Sequence, residues 1–237
     1  MLKPDRYYLL SILLMISCCA IDPEPIRAAS AYSSVIQNNP SDKQMLLNGR
    51  IWRNQYSNAI GDQFFLSNSF LKGSVFFNGR RFDNLDLLYD INSDELLLKT
   101  ESSPVIIMNK EMVDSFILAF NGRNYRVFNA GNDTSGVLSG YVTIMYDGPS
   151  TLYVKYKKNF QPLAVDGRYD LFYLENSAYL KSGNEIIPVA GKKKLMELME
   201  DKKKEIRHYL RTNSMKLKQK DPETYIPVLE YYDSLRE

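Results

Sequence analysis

The sequence predicts a mainly β protein, an antiparallel meander forming a sandwich or partly open barrel and finished by two C-terminal α-helices. Three observations carry this. Short apolar runs separated by turn pairs recur about every ten residues between Arg50 and Ala190, the signature of consecutive antiparallel strands. Seventeen tyrosines and eleven phenylalanines in 237 residues suit the pleated surface of a sheet. Apolar residues fall at three- and four-residue steps only after residue 190, as an amphipathic helix requires.

Met1 to Ala20 reads as an export signal. Lys3 and Arg6 form its basic end, and Tyr7 to Ile16 is a ten-residue apolar stretch broken only by Ser11. It is shorter than the roughly 18 residues that span a bilayer. Both cysteines, Cys18 and Cys19, close the segment. Met15-Ile16-Ser17-Cys18 has the outline of a bacterial lipobox, which makes Cys18 the candidate lipidation site. Ordinary cleavage after Ala20 or Ala31 stands equally open, and a buried N-terminal helix is the lesser alternative. The expected address is the periplasm or the outer membrane. Residues 21–44 carry Pro23, Pro25 and Asn38-Asn39-Pro40 without periodicity, and read as a tether.

The β domain is expected over residues 45–190. Asn78-Gly79, Asn121-Gly122 and Asp147-Gly148 each separate two strand-like runs, and such pairs favour the two positive φ angles of a type I′ hairpin turn. Looser turns fall at Asn92-Ser93-Asp94 and Ser182-Gly183-Asn184. About eleven strands result. Leu96-Leu97-Leu98 and Val105 to Met108 are apolar on both faces, whereas Tyr153 to Lys157 puts Lys155 and Lys157 on one face and Val154 and Tyr156 on the other. Part of the sheet is therefore covered on both sides.

Residues 191–237 form the helical segment. Leu195, Leu198, Met199, Ile206, Tyr209 and Leu210 make an apolar stripe that Lys202 interrupts. Gly191 and the lysines after it are a poor helix start, because cations oppose the helix dipole there. Asp221-Pro222-Glu223 is a good start for a second helix, with Pro227 either kinking or delaying it.

Hydrophobic residues at 44% and charged residues at 24% exclude a disordered chain. Two adjacent cysteines and one histidine exclude a disulfide framework, a zinc cluster and most histidine-dependent catalysis unless His208 carries it. His208 lies beside the apolar stripe and reads as a surface or packing residue. Gly136 to Gly140 flanks Ser139 with glycines but is no nucleophile elbow. Asp83, Asp86, Asp90 and Asp94 are the only candidate paired carboxylates for hydrolysis or calcium, although strand-edge and turn positions explain them. Asn129 to Gly136 reads as a connector, and its Asn132-Asp133-Thr134 sequon matters only in a eukaryotic secretory pathway. Trp52, Tyr56, Phe64, Phe65 and Phe70 would line a cavity for an apolar ligand or sugar, or else simply pack the core. No cofactor or metal is expected.

Charge concentrates in the tail. Residues 191–220 carry a net +7 and residues 221–237 a net −4. A solvated face, with its lysines paired to Glu197, Glu200, Asp201, Glu205 and the acidic end, is the preferred reading. Docking on anionic lipid or an acidic partner is the alternative. Nucleic acid is not an expected partner of an exported chain without a nucleic-acid motif.

Asn48-Gly49-Arg50, Gly61-Asp62-Gln63-Phe64-Phe65, Gly73 to Gly79, Leu87-Leu88-Tyr89-Asp90 and the run from Lys192 to Leu210 together resemble a group of exported β-rich proteins common in Bacteroidetes, with no assigned activity. The likeness covers about residue 45 to the C-terminus. It implies a bacterial envelope address and a lysine-rich helical end, and supplies no catalytic residue. The leading expectation is a non-catalytic envelope protein that binds or scaffolds at a membrane surface. Carriage of an apolar ligand in a half-barrel is its narrower form. A carboxylate-dependent hydrolase and a structural part of an envelope assembly are the competing classes.

Overall fold

The computed structural model describes residues 44–236 except 57, 101–103, 132–136 and 184, all within the second of two units, Asn38–Glu237. Cys18 and the sequon lie outside the described residues.

Among the described residues eleven strands make one antiparallel sheet: β1 (Arg50–Ile51), β2 (Leu71–Phe77), β3 (Arg80–Asp90), β4 (Glu95–Lys99), β5 (Ile106–Ile107), β6 (Val113–Phe120), β7 (Arg123–Asn129), β8 (Tyr141–Tyr146), β9 (Ser150–Val165), β10 (Tyr169–Ser182) and β11 (Glu185–Pro188). Their order across the sheet is β1-β5-β4-β3-β2-β6-β7-β8-β9-β10-β11. The sheet is rolled. Four strand steps separate β3 from β8, about 19 Å in a flat sheet, yet the Tyr89 and Tyr141 rings meet edge-on with centroids 5.6 Å apart. The edge strands β1 and β11 do not pair, so the sheet does not close into a barrel.

Side chains fill the interior of the roll. Val75, Phe77, Leu87, Tyr89, Leu96, Leu98, Phe116 and Leu118 form one core with Phe65. The intervening Leu88 and Leu97 face outward under Phe64 and Trp52, so β3 and β4 are covered on both faces as their composition predicts. A stitch over residues 60–65 holds the open side. The Ile60 N–H donates to the Asp170 carbonyl at 2.8 Å and the Phe65 N–H to the Tyr89 carbonyl at 2.9 Å, which ties β10 to β3.

Asn78-Gly79 and Asn121-Gly122 have positive φ at both positions, as type I′ turns require. Asp147-Gly148 does not. Its glycine makes room instead for Tyr146, whose hydroxyl would lie 2.4 Å from a Cβ at that position. The longest hairpin, β9–β10, turns at Asp166-Gly167, with φ of 52° and 62°.

The helices are α1 (Gly191–Leu198), α2 (Lys203–Thr212) and α3 (Ile226–Ser234). The first predicted helix is thus split by a 3-10 turn, Glu200–Lys202, where Lys202 breaks the apolar stripe. Pro227 delays the second helix, which a 3-10 turn over Pro222–Tyr225 precedes. Leu195, Met199, Ile206, Leu210, Val228 and Leu229 pack on Leu152, Val154 and Leu180. No helix among the described residues is long and apolar enough to cross a membrane.

Candidate functional site

The site begins with a repeat of charge. Lys203, Arg207 and Arg211 stand four residues apart on α2 and share one face of the helix. That face meets Lys192 and Lys193 in the first turn of α1, and Lys216 follows from the next loop. Together they rim a groove of about 1020 Å³ floored by Met196, Leu210 and Met215. Glu197 is its one carboxylate. The apolar floor follows from the fold, since Met196 and Leu210 also belong to the core beneath the helices.

The arrangement is electrostatically costly to the free protein. Like charges at four-residue spacing repel by about 0.2–0.5 kcal/mol per pair. Lysines in the first turn of α1 also oppose the positive end of its dipole with no acid among them, and neither helix has a side-chain cap. The predicted neutralisation is realised only in part. Lys194 pairs with Glu197 at 3.6 Å and Lys203 with Glu200 at 3.1 Å, while Asp201 faces Arg236 at 4.0 Å. Among the described residues, Lys192, Lys193, Arg207, Arg211 and Lys216 have no ion-pair partner. An anionic group entering the groove meets cations above an apolar floor.

The four candidate aspartates each have their own partners. Asp83 accepts from Ser74 Oγ at 2.6 Å and Arg81 Nε at 2.8 Å, and the Ser74 bond, followed by Arg81, outweighs burial to lower its pKa. Asp86 pairs with Lys72 at 2.9 Å on the surface. Asp90 is buried and accepts the Asn92 and Ser93 amides at 2.9 and 3.0 Å; burial raises its pKa. Asp94 sits between Lys110 and Lys155, and Tyr89 Oη donates to it at 2.6 Å. Burial pushes Asp94 upward, but the two ammonium groups and the hydroxyl hold it below the ordinary carboxylate value. Lys155, assigned by alternation to a wet face, is instead largely buried against this carboxylate, and desolvation lowers its pKa.

His208 is exposed, with Nε2 3.5 Å from Thr212 Oγ1. Ser139 is exposed, and Gly140 packs against Asp94. The aromatic group disperses. Trp52, Phe64 and Phe70 cover the outer face of β3 and β4, Phe65 enters the inner core, and Tyr56 lies on Phe160 and Phe172. A hollow of about 330 Å³ lies between Asp62, Phe64, Phe65, Tyr156, Lys158 and Leu174. Among the described residues no three metal-ligating side chains gather.

The charge count flagged the basic tail, but the four-residue repeat that shapes the groove was the sharper signal within it. Comparison with protein-family models, curated proteins and solved structures gives no significant match for this chain.

Proposed function

We propose that this is a non-catalytic cell-envelope protein that docks on an anionic membrane surface through its C-terminal helices. The cation-rimmed groove with an apolar floor carries the reading. Cations within a Debye length of an anionic surface contribute about 1 kcal/mol each, and an apolar floor adds affinity only for amphiphilic anions. The reading of Met1 to Ala20 as an export signal, with Cys18 as a candidate lipidation site, agrees with it.

Flotation with vesicles of phosphatidylcholine and phosphatidylglycerol, compared with phosphatidylcholine alone, tests it. Binding that needs the anionic lipid and weakens with salt is expected. Equal partition to both vesicle types, or to neither, removes the reading. A carrier of apolar ligands is the second reading, favoured only by the small hollow beside Phe64 and Phe65.

A further inference from the structure

The basic groove is deeper than an electrostatic contact with a surface needs. Met196 and Leu210, which form part of its floor, are only 6% and 4% exposed, so a flat array of headgroups meets the rim and stops short of them. At about 1020 Å³ the space matches the upper end of sites that hold single small molecules, roughly 300–1,000 Å³. Met196 and Met215 give the floor unbranched side chains that adapt to an apolar guest. The methylene stems of the rim lysines and arginines carry that apolar lining upward.

The charge of the rim narrows the occupant further. Lys192, Lys193, Arg207, Arg211 and Lys216 have no ion-pair partner among the described residues, and the one carboxylate, Glu197, is taken by Lys194 at 3.6 Å. A phosphodiester headgroup is a monoanion and leaves most of this charge unanswered. Two phosphate monoesters carry about −3 to −4 at neutral pH. Position asks for two groups as well. At 1.5 Å per residue, Lys203 and Arg211 lie about 12 Å apart along α2, too far for one phosphate to touch both. An arginine presents a planar fork that binds a phosphate through two parallel N–H donors. Arg207 and Arg211, one helical turn apart, present two such forks.

Resting on the proposed membrane reading, we infer that the groove holds one lipid bearing two phosphate monoesters, rather than an unselected stretch of anionic surface. The phosphates seat on the rim, one on each arginine, with the lysines answering the remaining charge. The apolar part of the same molecule covers the floor. A soluble bisphosphate satisfies the rim and leaves the floor bare. A run of carboxylates lacks the oxygen geometry and the double charge that the arginine forks match.

The test is binding of the full chain to phosphatidylcholine vesicles that carry either a diphosphorylated glycolipid (diphosphoryl lipid A) or its monophosphoryl form. Phosphatidylglycerol is added to the second set until the surface charges match. Binding about tenfold tighter to the first set, saturating at one glycolipid per chain, is expected. Arg211→Gln, at an exposed position, should erase most of that preference with an unchanged circular dichroism spectrum; a preference that survives it overturns the inference. If the two sets bind equally, the inference falls and the docking proposal stands. If the chain binds neither set nor phosphatidylglycerol vesicles, both fall. If fructose 1,6-bisphosphate or a hexaglutamate peptide displaces the chain as effectively as the diphosphorylated lipid does, the groove answers to charge alone and the inference falls.

Discussion

Asp94 accepts the Lys155 ammonium at 2.8 Å across 61 residues of sequence, and the same carboxylate oxygen takes Lys110 and the Tyr141 amide. One side chain in the β3–β4 turn thus ties the β8–β9 pair and the loop before β6 to the β3–β4 hairpin. Asp94→Asn leaves two ammonium groups facing a neutral amide and should destabilise the fold by about 2–3 kcal/mol in chemical denaturation at pH 7. The pH dependence has a definite sign. The folded-state pKa lies below the ordinary 3.8, so the carboxylate's contribution is complete above that value and is lost as pH falls through the folded one. The gap between parent and variant should therefore be the same at pH 7 and pH 5 and narrow below about pH 4. Equal stability at neutral pH would contradict this role.

Gly140 has to remain glycine for two reasons at once. Its φ is 62°, and a Cβ would sit on the Asp94 carboxylate and within 3.0 Å of both lysine ammonium groups. Gly167, at the tip turn of β9–β10, has the same φ with nothing within 4 Å of its Cβ position. Gly167→Ala should cost about 1 kcal/mol from backbone strain alone. Gly140→Ala should cost at least twice as much, because it also displaces the carboxylate. Thermal unfolding of the two variants separates the contributions, and similar melting temperatures would show that the carboxylate shifts freely.

Asp233 on α3 is buried and fixes the helix to the sheet. Its Oδ2 accepts Tyr146 Oη at 2.9 Å and the Ser150 amide at 3.0 Å. Asp233→Ala removes the acceptor of the buried Ser150 amide together with that of the Tyr146 hydroxyl and should cost about 2–3 kcal/mol, against about 1 kcal/mol for Tyr146→Phe. The double variant should lose less than the sum, since the two share one bond. Strict additivity in urea denaturation would mean that the hydroxyl and the carboxylate act independently.

The strand meander was legible because local rules produce it. Asn78-Gly79 and Asn121-Gly122 turn as their sequence requires, and Leu96-Leu97-Leu98 is covered on both faces. The length of β9 and β10 was not read, although Asp166-Gly167 between Phe160–Val165 and Tyr169–Tyr173 carried the signal used elsewhere. The Asp94 node was beyond reach. Lys155 alternates as a wet residue should, and only the rolling of the sheet brings it to a carboxylate in another hairpin. The basic tail was visible as composition, whereas its groove depends on the 3-10 break that sets α2 against the first turn of α1.

That groove sets stability against binding, and the two can be measured separately. Arg207 and Arg211 repel each other across one helical turn and have no ion-pair partner among the described residues. Replacing both with glutamine removes that repulsion, along with the Lys203–Arg207 pair, and should leave the fold unchanged or more stable by a few tenths of a kcal/mol. On the proposed membrane reading, the same change deletes two cations from the groove, worth about 2 kcal/mol, and should weaken binding to anionic vesicles roughly thirtyfold at low salt. Raising ionic strength shortens the reach of the remaining charges, so the difference between parent and variant should shrink as salt increases. A solvated helix face gives the first result without the second. Stability that holds while vesicle affinity drops marks these arginines as placed for an anionic surface; unchanged affinity marks the stripe as solvent-facing charge and nothing more.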